Sequence, residues 1–222
     1  MAEHRLPGDI ERSSMAIIRR ELEERGVPLD GETAPVVLRV IHATADFEYV
    51  DTLRFSESCV RLGTEALRRG TPIVTDTNMA LSGVSRAALS RLGASAFCYM
   101  AEPAVARAAK EQGTTRAAAA MKLAAREHPG AVLAVGNAPT ALLEIARQMQ
   151  EGLRPSLVIA VPVGFVNVVE SKEQIVRTCA QFGVPCIAAM GRKGGSTVAA
   201  AICNALLYTA ADMLDPAERG WN

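Results

Sequence analysis

Five short apolar runs, Pro72–Thr75, Ser95–Tyr99, Ala131–Val135, Leu157–Val161 and Cys186–Ala189, recur through the last two thirds of the chain. Between and after them lie stretches of helical periodicity: Ser85–Leu92, Ala104–Gln112, Ala117–Glu127, Thr140–Gln150, Lys172–Phe182 and a final Thr197–Ala211. Short β-branched or apolar runs separated by helices fit a mainly parallel sheet covered on both faces. The expectation is therefore an α/β fold, a three-layer α/β/α arrangement around a mainly parallel sheet of about five strands. No linker rich in Pro, Gly and Ser divides the chain and no internal repeat is visible, so residues 10–222 read as a single domain behind a loose polar segment, residues 1–9.

Upstream of the first run the pattern is helical. Ile10–Arg25 carries a partial apolar stripe of Ile10, Met15, Ile17, Ile18 and Leu22, broken by Gly26, Pro28 and Gly31. Thr33 and Pro35 are suitable residues for the start of the next helix, which runs through Val36–Tyr49. Phe47–Phe55 fits neither period, and Ser56–Arg69 reads as an amphipathic helix stopped by Gly70. Val36–Tyr49 has no wholly polar face, the mark of a helix covered on most sides. Arg39 and His42 are set into it three residues apart and so on one face. Burying either without a partner costs several kcal/mol, on the order of 2–7 for a polar group and more for a charge. Something satisfies them, either the protein itself or a ligand.

Composition narrows the function. Lys+Arg and Asp+Glu both number 24, for a net charge of +0. A general nucleic-acid or membrane-surface binder would show a basic excess, so neither partner is expected. No apolar run reaches the length of a membrane span and the N-terminus lacks an apolar signal region, which makes a cytoplasmic location the default. The five cysteines are scattered, without a CxxC, so a disulfide framework is not expected. There is no HExxH, Cys/His cluster or carboxylate-rich knot, and no protein-bound catalytic metal is expected. GxGxxG, P-loop and GxSxG patterns are absent too.

In an open parallel sheet, ligands bind beyond the carboxyl ends of the strands. The segments there are Asp76–Met79 and Gly83–Arg86, Gly136–Thr140, Pro162–Phe165 and Gly191–Ser196. GRKGGS, residues 191–196, is the sharpest: glycines let backbone N–H groups converge, and the following helix start adds positive charge. Arg192, Lys193, Gly194, Gly195 and Ser196 could thus hold a carboxylate or phosphate; a tight turn with two solvated cations is the plainer alternative. Arg116 of GTTR opens a helix, where the macrodipole disfavours a cation, which hints at a nearby anion. Ser13 and Ser14 are unusual inside a helix pattern, because serine prefers caps.

Taken together, IERSSMAIIRRE, RVIHAT, PIVTDTNMALSGVSR, GTTRAAAAMKL, AVGNAPTALLE, PVGFVNVVESKE and GRKGGSTVAAAICNALL stand in an order that resembles the precorrin-8X methylmutase (precorrin isomerase) family, from about Ile10 to about Leu207. The resemblance implies an isomerase that moves a methyl group from C-11 to C-12 of precorrin-8X, or its cobalt form, giving hydrogenobyrinate or cobyrinate in cobalamin biosynthesis. It implies no redox cofactor and no methyl donor. The family's histidine, proposed as proton donor or acceptor, falls on His42, and its substrate-contacting arginine on Arg39. The substrate-binding serine falls on Ser14, with Ser13 as the neighbouring alternative; Arg116 and Ser85 are weaker carry-overs. The implied substrate is a large macrocycle fringed with carboxylates. It calls for separated cations, for which Arg39, Arg86, Arg116, Arg192 and Lys193 are candidates, and for an apolar floor, for which PVGF and Met79–Leu81 are candidates. The family also implies a homodimer with the site near the subunit interface. Two readings from other classes remain: a corrinoid carrier without turnover, and a binding protein for a phosphorylated metabolite anchored on Gly191–Ser196.

Overall fold

The computed structural model describes residues 6–27, 29 and 31–220. Six strands form one sheet: β1 (Leu53–Phe55), β2 (Ile73–Thr75), β3 (Ala96–Phe97), β4 (Val132–Val135), β5 (Leu157–Ala160) and β6 (Cys186–Ala189). Their order is β1-β6-β5-β4-β2-β3. All neighbours are parallel except β1, which runs antiparallel to β6 along the edge. The expected α/β architecture is present, and each of the five apolar runs contributes a strand. The additional strand, β1, lies inside the stretch that fitted neither period. Three residues with the exposed Arg54 between Leu53 and Phe55 are too short to declare a period, and the strand exists because β6 offers a free edge.

Side chains alternate across the sheet and divide the core. Ile73, Val132, Ala134, Leu157, Ile159, Ile187 and Ala189 face one layer; Val74, Leu133, Val135, Val158, Ala160, Cys186 and Ala188 face the other. The second layer is α8 (Arg116–Glu127), α9 (Pro139–Gln150) and α10 (Val168–Phe182), with α7 (Pro103–Glu111) packed outside α8. The first layer is deeper. Against the sheet lie α4 (Cys59–Arg68) and α11 (Ser196–Ala210); α2 (Ala34–Thr44) packs along α11, and α1 (Pro7–Glu24) packs on α2. This stacking explains the apolar helix seen in the sequence: α2 buries Val36, Val37, Leu38, Val40 and Ile41 between α11 and α1.

Boundaries moved for local reasons. α1 begins at Pro7, earlier than Ile10, because proline suits a first turn; the segment expected to be loose is helical from there, and residues 1–5 lie outside the described residues. α2 stops at Thr44, where Ala45 turns left-handed (φ 53°), so Phe47–Tyr49 leave the helix. Thr33 does stand at the start of α2, but its side chain makes no capping bond. Two short helices follow strands or loops that had read as irregular: α3 (Tyr49–Thr52) and α5 (Asn78–Gly83), the latter capped by Thr77 Oγ1 accepting from Ala80 N at 3.0 Å. Then come α6 (Arg86–Leu92) and, at the end, a 3-10 turn, Pro216–Arg219.

The chain leaves β2 for β3 on one side, then returns to place β4 on the other side of β2, so the sheet reverses direction between β2 and β4. Here α11 begins very close to the turn after β4. A Cβ on Gly136 would sit 2.8 Å from Ser196 Cα and 3.0 Å from Gly195 O, both backbone atoms that cannot step aside. Gly136→Ala is expected to cost about 1–3 kcal/mol of stability, the usual price of overpacking a closed contact. Urea unfolding would show it as a lowered midpoint with an unchanged slope; an unaltered midpoint would mean that α11 can shift freely.

Candidate active site

The carboxyl ends of the strands are tied together from within. Asp76, directly after β2, is fully buried, and its carboxylate accepts from Gly136 N (2.8 Å), Asn137 N (2.9 Å) and Ala138 N (2.8 Å). Burial pushes its carboxyl up, and the three N–H bonds oppose that rise. Thr77 Oγ1 and Ser196 Oγ are 2.8 Å apart and join the same turn to the start of α11. The turn after β2 is thus fastened to the turn after β4 by the protein's own carboxylate.

The Gly191–Ser196 turn is held from below and from the side. Lys172, fully buried in α10, donates from Nζ to Gly191 O (2.9 Å) and Lys193 O (2.8 Å); burial pushes its pKa down to about 8. Gly195 N donates to Val161 O (2.8 Å) and Gly164 N to Arg192 O (3.2 Å), so the turns after β5 and β6 are hydrogen-bonded to each other. Arg192 places its guanidinium 5.5 Å from the Phe165 ring centroid. Phe165 is 84% exposed and Met79 70%, and Val163 and Val166 are exposed on the same rim. Lys193 reaches the opposite way: its Nζ lies 2.6 Å from Asp46 Oδ2 and 2.8 Å from Glu48 Oε2, and these hydrogen bonds raise its pKa. Its charge is therefore spent on the segment after α2, unlike the free cation expected from the sequence.

That bridge brings the carboxyl end of α2 to the amino end of α11. Within α2, Arg39 Nη2 is 2.7 Å from Glu11 Oε1 of α1, and Arg219 Nη2 approaches the same oxygen at 2.6 Å. Both guanidiniums lie by the Tyr208 ring, at 5.2 and 4.5 Å. Burial pushes the Glu11 carboxyl up, but Arg39 and Arg219 outweigh burial and hold it below the ordinary 4.5. His42 is half-buried one turn further on, and no described residue hydrogen-bonds its ring. Burial first, then the charges of Arg39 and Arg219 against the opposing charge of Glu11, keep its pKa below 6.5. The imidazole is mainly neutral at pH 7.

The remaining candidates fall differently. Ser14 Oγ donates to Ile10 O of its own helix at 2.8 Å, while Ser13 Oγ makes no bond to a described residue. Arg116 opens α8, exposed and without an ion pair among the described residues; Thr115 caps that helix and shares a 2.8 Å hydrogen bond with Thr140 at the start of α9. Arg116 thus stands at the same end of the sheet as the Gly191–Ser196 turn. Ser85 caps α6, accepting from Ala88 N at 3.3 Å and donating its own N–H to Asn204 Oδ1 at 2.8 Å. Asn204 is roughly 12 Å along α11 from Ser196, given 1.5 Å per residue, so Ser85 is set back from the rim. Arg192, Gly194, Gly195, Ser196 and Arg116 stand at the rim; Arg39 and His42 lie on α2, which packs along α11, and Ser14 lies on α1, which packs on α2. The Asp46–Lys193 bridge ties the segment after α2 to the turn before α11.

The precorrin-8X methylmutase family model matches residues 9–209. The chain belongs to that family. It thereby belongs among isomerases that move a methyl group within one molecule. It is 48% identical to the cobalt-precorrin-8 methylmutase of Salmonella typhimurium, over 78% of this chain and 80% of that protein. To the precorrin-8X methylmutase of Pseudomonas aeruginosa it is 41% identical, over 89% of this chain and 93% of that protein. The solved precorrin-8X methyl mutase of Thermus thermophilus superposes with a TM-score of 0.79 at 40% identity, covering 91% of this chain and 98% of that one. The sequence assigns no role to Glu11 or Lys172, and places Asp76 only within a strand-end segment without its function as an internal tie. A charged residue just after an apolar strand was the one available signal, for Asp76; Glu11 and Lys172 sit among other polar residues and look solvated.

Glu11 carries the buried charge balance around Arg39 and His42. Glu11→Gln leaves two guanidiniums without their carboxylate, and a loss of about 3 kcal/mol at pH 7 is expected. A carboxyl held below 4.5 stabilises the fold above that pH, and the contribution fades as pH falls through its lower folded value. Urea unfolding of both proteins from pH 7 downward should show the gap closing at acid pH. A gap independent of pH would rule out the ion pair as its source.

Proposed function

We propose that this chain moves the methyl group of precorrin-8X, or of its cobalt form, from C-11 to C-12, with His42 as the group that handles the proton. The observation that carries the reading is His42 itself: a neutral, half-buried imidazole on an otherwise apolar helix, next to Arg39 and without an internal hydrogen-bond partner among the described residues. An imidazole left unbonded at such a place is available to a ligand.

In the reaction one C–C bond to the methyl breaks at C-11 and one forms at C-12, with no net gain or loss of electrons. The protein has to hold the macrocycle, exclude water and let a proton relocate. Phe165, Val163, Val166 and Met79 offer the apolar floor; Arg192, Arg116 and Arg39 offer separated positive charge for the carboxylate fringe. Arg39 would exchange part of its contact with Glu11 for a substrate carboxylate, leaving Arg219 to keep Glu11 paired. His42 hydrogen-bonds the macrocycle next to the migrating group and takes or returns the proton there. General acid–base help of this kind is worth roughly 10²–10⁴-fold in rate.

The test is an absorption time course of precorrin-8X with wild-type protein and His42→Ala in parallel. The wild type should give the hydrogenobyrinate spectrum, and His42→Ala should bind the corrinoid but turn over about 10²–10⁴-fold more slowly. Near-normal turnover by the variant would remove His42 from the mechanism. Binding without conversion by the wild type would favour a carrier. Because the free imidazole is held below 6.5, kcat/KM of the wild type should fall on acidification with a midpoint below 6.5, as the neutral form is lost.

The same reading includes a cytoplasmic homodimer. Five free cysteines suit a reducing compartment. Leu214 is exposed at a cleft of ≈ 430 Å³ between α1, α2 and the 3-10 turn that Arg39 also lines, and Leu6, Ile10 and Ile17 are exposed on or just before α1. Light scattering should give twice the 23.5 kDa of one chain, and Ile17→Glu should lower it toward a single chain. An active protein of single-chain mass would refute the dimer.

A further inference from the structure

Lys172 is charged, fully buried and absent from the proposed chemistry. It lies in α10, where a solvated lysine would turn outward at no cost. Instead its Nζ donates to Gly191 O at 2.9 Å and to Lys193 O at 2.8 Å. An ammonium placed in an apolar interior costs several kcal/mol unless hydrogen-bonded acceptors compensate. Here the acceptors are two alternate carbonyls of one exposed turn, so the buried charge dictates that turn's backbone.

The consequence follows from peptide geometry. The peptides of this turn are trans, and in a trans peptide the C=O and N–H point in opposite directions. With the carbonyls of Gly191 and Lys193 drawn inward to Nζ, the N–H groups of Arg192 and Gly194 point away from the ammonium. Neither donates to an acceptor among the described residues. The intervening carbonyl, Arg192 O, is taken by Gly164 N at 3.2 Å, and Gly195 N is taken by Val161 O at 2.8 Å. Only glycine fits at 194, because a Cβ there would meet Pro162 O at 2.6 Å. Two N–H donors on alternate residues, left without an acceptor and backed by a buried positive charge, are suited to an oxyanion.

We propose that Lys172 is a positioning residue for the methylmutase reaction: it orients the Gly191–Ser196 turn so that Arg192 N–H and Gly194 N–H receive a carboxylate of the corrinoid substrate. The proposal rests on the corrinoid reading given above. Lys172 never touches substrate; it acts through the turn, on binding and not on the methyl shift. This separates it from His42 and from a residue that merely stabilises the fold.

The experiment pairs kinetics of Lys172→Met with wild-type amide spectra. Lys172→Met should raise KM for precorrin-8X about tenfold, the worth of one charge-assisted hydrogen bond, and leave kcat within about threefold. A KM unchanged in folded variant, with only the melting temperature lowered, would overturn the proposal. In wild-type protein, the amide proton resonances of Arg192 and Gly194 should move downfield on saturation with hydrogenobyrinate. Resonances that stay in place while the enzyme converts precorrin-8X would overturn the positioning role and leave the methylmutase intact, even if Lys172→Met fails to fold. Wild-type protein that neither converts nor binds the corrinoid would overturn both.

Discussion

The close packing of α11 is the constraint on which the rest of the structure depends. This helix is buried along most of its length, with Val198, Ile202, Leu206 and Leu207 buried along with five alanines and Cys203. It touches the sheet, α2, α4, α5 and α6. Small residues make that possible. A Cβ on Gly83 would come 2.7 Å from Ala200 Cβ, and one on Gly63 would come 2.9 Å from Leu157 in the layer beneath. Close approach of helix to helix leaves little room for adjustment, because protein interiors are packed as densely as organic crystals. The position of α11 therefore fixes, in one rigid unit, the turn that precedes it and the α2 face that carries Arg39 and His42.

Around this unit the charges divide into those that hold the scaffold and those that face outward. Asp76, Lys172 and Glu11 are buried, and each is compensated by partners inside the chain: three backbone N–H groups, two carbonyls, and two guanidiniums. Arg192 and Arg116 lack such compensation among the described residues, apart from the aromatic contact of Arg192. The contrast is informative because an ion left in solvent is worth little to stability, whereas a buried one must be paired. The buried ions here shape loops, while Arg192 and Arg116 keep their charge at the surface. Lys193 crosses from the second class to the first by pairing with Asp46 and Glu48, which lock the end of α2 onto the start of α11.

Much of this was readable from residues alone. The five apolar runs became strands, the all-apolar stretch from Val36 became a helix covered on both sides, and the glycine-rich turns fell at the carboxyl ends of the strands. Particular elements were not readable, each for a physical reason. β1 has three residues and exists only because β6 presents an edge, so no local period announces it. The end of α2 depends on a left-handed Ala45, a conformation that alanine does not advertise. Ser85 looked like a hydroxyl available to substrate, yet its oxygen and its N–H are both engaged in capping α6 against α11.

What the sequence by itself determined is the class of fold, the family to which the chain belongs, and the set of residues from which a site could be made. Apolar periodicity and glycine placement are local properties, and they survive translation into structure because burial and backbone freedom act residue by residue. Which charges are available was decided only by tertiary structure. Glu11 meets Arg39 and Arg219 across 28 and 208 residues, and Lys172 meets the Gly191–Ser196 turn from a helix that reads as solvated. Electrostatic pairing depends on distance and burial in space, and neither is encoded in the spacing of residues along the chain.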